Sequence, residues 1–213
     1  MNKISVIVPC FNSEKFIGRC LRSLLNQSLD KKSYDIIVIN DGSKDRTDFA
    51  LKLFKEDIIL INNKKNLGLP ASLNLGINSS RSKFIVRVDS DDYVNFHFLE
   101  ILSLYLSLNP NYRAASCDYY IVNENEEIIK RESFKKSPIG CAIMFHKDDL
   151  IDLGLYDESF LLNEEKNLMQ KFFSKYEIIN CKLPLYRYRR HENNITNDIE
   201  MLKFYDKKLQ NNK

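Results

Sequence analysis

No stretch of this sequence approaches the ~20 consecutive apolar residues that cross a bilayer, so any membrane association is expected to be peripheral. The first eleven residues run from a short apolar segment into Pro9 and carry no secretory cleavage pattern. There is no internal repeat, no low-complexity tract and no linker, and one continuous domain over residues 1–213 is the expectation. The five cysteines, at positions 10, 20, 117, 141 and 181, are odd in number and lack paired metal-ligand spacing. All five are read as reduced thiols, which fits a cytoplasmic protein. A net charge of +3 without a concentrated basic stripe argues against nucleic acid as a partner. Arg187, Arg189 and Arg190, and later Lys203, Lys207 and Lys208, do cluster. They read either as solvated faces or as contacts for anionic headgroups or diphosphates.

What is present is a regular alternation. Ile4 to Val8 is a β-branched run of the kind found in strands buried on both faces. Lys15 to Asn26 then places Phe16, Ile17, Cys20, Leu21, Leu24 and Leu25 at helical spacing. Strands are expected again at 34–39, 58–61 and 84–88, with helices at 47–55 and from Pro70 to about Asn78. This order predicts an α/β fold with a mostly parallel sheet flanked by helices. Such sheets bind ligands beyond the carboxyl ends of their strands. Three of the four strands end in polar groups, at 9–14, 41–45 and 89–92, which therefore share one rim. The second half is less regular, with a helix at 96–106, a strand at 114–122, an edge strand within 123–136, helices at 147–153 and 164–175, and a last strand at 185–188.

Asp89-Ser90-Asp91-Asp92 is the strongest local signal. Carboxylates crowded at a strand end are costly unless paired, and Mg²⁺ or Mn²⁺ prefers such oxygen ligands. The plainer alternative is a solvated turn whose acids cap the helix that follows. Asp41-Gly42 and the loop Lys65 to Leu69 would each be ordinary turns in isolation.

Taken in order, the segments resemble the family 2 glycosyltransferases. The matching stretches are Val6 to Asn12 with Glu14, Ile39 to Thr47, Asn66 to Ile77, and Arg87 to Asp92 with its Asp-x-Asp pattern. The resemblance is tight over the first half and looser over the second. It implies a GT-A fold, a nucleotide-diphosphate sugar donor (a UDP-sugar foremost) and transfer with inversion to a glycan or glycolipid acceptor. It implies a donor half over about 1–110 and an acceptor half over about 111–213. By resemblance, Pro9, Phe11 and Glu14 line the nucleotide pocket, Asp41 meets the base, and Asn66, Asn74 and Ser90 contribute to the donor site. Asp89 faces the ribose or sugar, and Asp91 holds Mn²⁺ or Mg²⁺. His191 is expected as a metal or phosphate contact within the closing segment 188–196. Pro138 to Phe145 and Leu153 to Phe160 resemble acceptor-side segments.

Relatives usually show Glu-Asp where this chain has Glu164-Glu165, and Glu165 is the expected general base with Glu164 beside it. Both acids also suit a helix N-terminus on macrodipole grounds alone. Surface-polysaccharide or lipopolysaccharide assembly at the inner membrane face is the role implied by resemblance. Two alternatives remain: a non-catalytic nucleotide-sugar-binding relative, and a nucleotidyltransferase. The latter is disfavoured because Cys10 to Lys15 contains no glycine for a phosphate loop.

Overall fold

A computed structural model describes residues 4–192, 194 and 197–211. Four parallel strands form one half of the sheet: β1 (Ile4–Cys10), β2 (Tyr34–Asn40), β3 (Ile59–Asn62) and β4 (Phe84–Arg87), in the order β3-β2-β1-β4. Ile4 pairs with Tyr34 and Cys10 with Asn40, so the carboxyl ends of β1 and β2 are level. Strand alternation sends Val6, Val8 and Val38 to one face and Ile7, Ile37 and Ile39 to the other. Helix α1 (Ile17–Leu25) covers the first face through Ile17, Cys20, Leu21 and Leu24. Helix α2 (Thr47–Lys52) follows β2, and α3 (Leu69–Ser79) covers the second face through Leu73 and Ile77.

The sheet continues past β4. After β5 (Tyr93–Val94) and α4 (Phe98–Leu108), strand β6 (Ala114–Val122) turns into β7 (Ile128–Glu132). Then β8 (Ile143–His146) inserts antiparallel between β4 and β6. Helices α5 (Lys147–Asp152) and α6 (Glu164–Phe173) precede β9 (Ile178–Arg189), which runs parallel to β6 and carries β5 on its outer edge. A last helix, α7 (Ile199–Asn211), lays Tyr205 and Leu209 on Phe160 and Leu162. Among the described residues, no helix is long and apolar enough to cross a membrane. All five cysteines are free and buried.

Strands β5 and β8 are absent from the sequence expectation, and two further features depart from it. Strand β9 is twelve residues long rather than confined to 185–188. Its residues before Leu185 include Asn180, Lys182 and Pro184, which break the apolar pattern. The register shifts around Asp118, opposite Pro184, accommodate a residue that cannot donate to the ladder. Helix α7 was not expected, because its polar surroundings hide a short apolar stripe.

Glycine is needed where α3 meets the sheet. A β-carbon on Gly76 would stand 2.6 Å from Ile7 Cγ2 and 2.7 Å from Ile39 Cδ1. Both isoleucines are fully buried and cannot retreat. Gly76→Val is therefore expected to lower unfolding free energy by about 2–3 kcal/mol despite the better helix propensity of valine. Chemical denaturation measures this.

Candidate active site

The three polar strand ends meet through short hydrogen bonds. Ser13 Oγ lies 2.7 Å from Ser90 Oγ, and the Ser13 N–H donates to Thr47 Oγ1 at 2.7 Å. Glu14 accepts from the Arg46 N–H at 2.7 Å, and the Asn12 side chain accepts from the Lys44 N–H. Pro9 is buried at the floor of this rim, whereas Phe11 is 43 % exposed at its mouth.

Asp41 ends β2 but is not a loose strand-end acid. It is buried, and its carboxylate accepts from Asn63 Nδ2 and from the N–H groups of Leu67 and Gly68, at 2.7–2.9 Å. Asn66 is exposed and also caps the Gly68 N–H. Gly42, at φ +70°, makes room for this loop, since a β-carbon there would lie 2.7 Å from the Lys65 carbonyl carbon. Asn74, expected at the donor site, has its amide engaged by the 156–158 segment. Its amide exchanges hydrogen bonds with both backbone groups of Tyr156 and donates to Glu158. It thereby pins the 156–158 segment to α3.

The acidic run is sorted by its partners. Asp89 accepts two bonds from Arg87, at 2.6 and 3.1 Å. The remaining Arg87 nitrogen donates to Glu164 at 2.8 Å. Burial works against the Arg87 charge, but Asp89 and Glu164 more than offset it and hold the guanidinium above its ordinary pKa. One buried arginine thus ties the end of β4 to the start of α6. Asp92 is 2 % exposed and accepts from Tyr186 Oη and from the Arg189 N–H, both at 2.7 Å. Burial and the neighbouring Asp91 and Asp89 push its carboxyl pKa up. Asp91, partly exposed like Asp89 but free of Arg87, has its carboxylate 2.9 Å from His191 Nε2. His191 is stacked on Phe16, with ring centroids 4.9 Å apart. The expected closing-segment residues 195 and 196 lie outside the described residues.

These contacts decide which groups fit a divalent cation. Asp91 Oδ2 and His191 Nε2 have the spacing of adjacent ligands on an ion with bonds of about 2.1 Å, close to ~3 Å. The carboxylate suits Mn²⁺ or Mg²⁺, and the imidazole is a ligand of first-row transition metals. His191 Nδ1 is buried without a partner among the described residues, so nothing there fixes the tautomer against ligation through Nε2. Asp89, Asp92 and Cys141 also bring ligand atoms within 4.8 Å of one another. That trio does not fit, because Arg87, Tyr186 and Arg189 already occupy its oxygens and burial keeps the Cys141 thiol protonated.

Glu164 and Glu165 open α6. Glu164 is 2 % exposed and bound to Arg87, whereas Glu165 is partly exposed. Gly140 lets Glu165 approach the site, since a β-carbon there would lie 2.7 Å from Glu165 Cβ and 2.9 Å from an Arg87 nitrogen. Arg87 and Tyr186 carry no role in the sequence reading, and Arg189 only that of a solvated face or an anion contact. Only Arg87 carried a readable signal, its two-residue spacing from Asp89.

Residues 5–168 match the family model described as Glycosyl transferase family 2. The chain belongs to this family. An uncharacterized glycosyltransferase of Haemophilus influenzae is 36 % identical over 149 residues, which make up 68 % of this chain and 45 % of that protein. The fold, an α/β sheet of the GT-A kind, matches Staphylococcus aureus TarS 1–349 in complex with UDP-GlcNAc. The TM-score is 0.80 at 21 % identity, over 92 % of this chain and 61 % of that one. It also matches the mannosyltransferase PcManGT of Pyrobaculum calidifontis in complex with GDP-Man and Mn²⁺. There the TM-score is 0.72 at 16 % identity, over 90 % and 58 % of the two chains. The chain spans under two thirds of the length of each of these three proteins.

Two consequences are measurable. Arg87→Met strands two carboxylates and is expected to cost about 3–5 kcal/mol of stability. Burial raises the Glu164 carboxyl to about 7 from 4.5, against the pull of Arg87 and with help from Glu165. The folded chain therefore binds more protons than the unfolded one between these values, and stability falls as pH rises from about 4.5 through about 7. Denaturation across this range is expected to show a steeper fall in the wild type than in Glu164→Gln.

Proposed function

We propose that this chain is a single GT-A domain, donor half over about 1–110 and acceptor half over about 111–213, that transfers a sugar from a UDP-sugar to an acceptor hydroxyl with inversion. The observation that carries this reading is the Arg87 bridge, which brings the acidic donor-side rim and the two glutamates of α6 into one site. Family membership and the UDP-GlcNAc and GDP-Man complexes of the structural neighbours support a nucleotide-sugar donor. A glycan or glycolipid acceptor, in polysaccharide assembly, accords with the names of relatives such as the poly(ribitol-phosphate) β-N-acetylglucosaminyltransferase TarS.

Asp91 and His191 would hold Mn²⁺ or Mg²⁺. When bound, the ion supplies neutralisation of the charge that develops on the leaving nucleoside diphosphate. Asp89, oriented by Arg87, is the carboxylate poised to accept hydrogen bonds from ribose or sugar hydroxyls. Pro9, Phe11, Glu14 and the loop organised by Asp41 frame the nucleotide pocket, with Ser90 bracing its floor. Inversion is a single displacement, so one carboxylate must take the acceptor proton as the hydroxyl attacks. Glu165 suits this because it is partly exposed, while Glu164 is already held by Arg87. Geometry precedes pKa in choosing a base.

Donor binding is tested by thermal stabilisation with a panel of nucleotide sugars in Mn²⁺. A specific donor raises the midpoint, and a flat panel would remove the transferase reading. Asp91→Asn is expected to cut metal-dependent turnover about 10²-fold or more. Glu165→Gln is expected to lower kcat roughly 10²- to 10⁴-fold with donor affinity nearly unchanged. A larger loss in Glu164→Gln would reassign the base to Glu164.

A further inference from the structure

A groove of about 750 Å³ lies on the α1 side of the molecule, between α1, the β5 segment and β9. It is not the donor crevice. Arg189 walls the two apart, with Nε bonded to the Asp91 carbonyl and its guanidinium lying over the Phe16 and Tyr93 rings. Three other arginines, Arg19, Arg22 and Arg187, line the groove, and among the described residues no acidic side chain does.

Like charges gathered this way repel one another unless an anion joins them. Arg19 is partly compensated by Glu126 at 3.0 Å and lies 4.1 Å over the Tyr93 ring. Among the described residues the Arg187 side chain donates only to the carbonyls of Pro184 and Tyr186, and it rests on Tyr120. Burial pushes its pKa down, and the Arg19 charge adds to that against Tyr93 and Tyr120. Arg22 is exposed and has no ion pair among the described residues. The same groove carries Phe96, 47 % exposed, as an apolar wall, and Asn26 as a further polar group.

We propose that this groove is a second ligand site, taking a phosphate-bearing anion, a phosphate or diphosphate ester, on Arg19, Arg22 and Arg187 with an apolar portion against Phe96. Guanidinium forks match phosphate oxygens in pairs, and the floor is already lined with aromatic faces. The proposal is independent of the donor reading and survives its failure. The ester can be a soluble molecule or the headgroup of a lipid, and the two sources separate in one experiment.

The full chain is titrated by calorimetry with inorganic pyrophosphate in excess EDTA, so that no divalent ion assists binding at Asp91. In parallel it is sedimented with phosphatidylcholine vesicles, with and without phosphatidic acid. Binding of pyrophosphate is expected, weakened about tenfold in Arg22→Gln and again in Arg187→Gln, and falling with added salt. Arg22 is exposed, so its variant tests the site even if Arg187→Gln fails to fold. Vesicle binding that needs phosphatidic acid and is lost in the same variants assigns the site to a lipid headgroup, whereas pyrophosphate binding without vesicle binding assigns it to a soluble ester. Absence of both, or equal binding by wild type and Arg22→Gln, overturns the proposal.

Discussion

The Arg87 guanidinium is the contact on which the site depends. It sits at the last position of β4, is nearly buried, and uses all three of its nitrogens on two carboxylates from opposite halves of the chain. An unpaired guanidinium or carboxylate there would be several kcal/mol out of place. The pairing is therefore a strong constraint on how the sheet half and the α6 half meet. It also leaves the two glutamates unequal, one fixed and one able to reach a substrate.

A second set of contacts distributes the charge of the acidic run. Asp92 is turned inward to Tyr186 and to the backbone of Arg189, which leaves Asp91 facing the rim beside His191. Tyr186 reaches both ends of the run, since its oxygen also accepts from the Asp89 N–H at 3.1 Å. Strand β9 thus acts as a template that decides which carboxylate is available. The length of that strand matters for this reason: its last residues carry the contacts, and its first residues anchor it along β6.

The parallel half of the fold was legible because its cues are local. A buried parallel strand reads as a β-branched run, and the polar residues that end it stand out against that run. The Asp-x-Asp rim stood out on the same grounds, whereas the Asp41 turn and the α6 glutamates gained meaning only from the family resemblance. What could not be read was the pairing across the sheet. Nothing around Asn74 announces that its amide is committed to Tyr156, 82 residues away. The loop-holding function of Asp41 depends on amides 26 and 27 residues downstream. Helix α7 and the first half of β9 escaped because their apolar residues are sparse and become a face only when Phe160, Leu162 and β6 are already in place.

The five buried thiols make the protein's redox chemistry a property of its folding. Burial pushes Cys10 up to about 12 and Cys20, Cys117 and Cys141 well above the ordinary thiol range, so almost no thiolate exists at neutral pH. Oxidants and alkylating reagents act on the thiolate, and only on one they can reach. Cys10 ends β1 and Cys20 lies on the buried face of α1, whereas Cys117 and Cys181 face each other across β6 and β9. The rate at which each thiol is modified in the native protein would then report how often its own half of the sheet opens, a site-by-site clock of local unfolding that requires no added label.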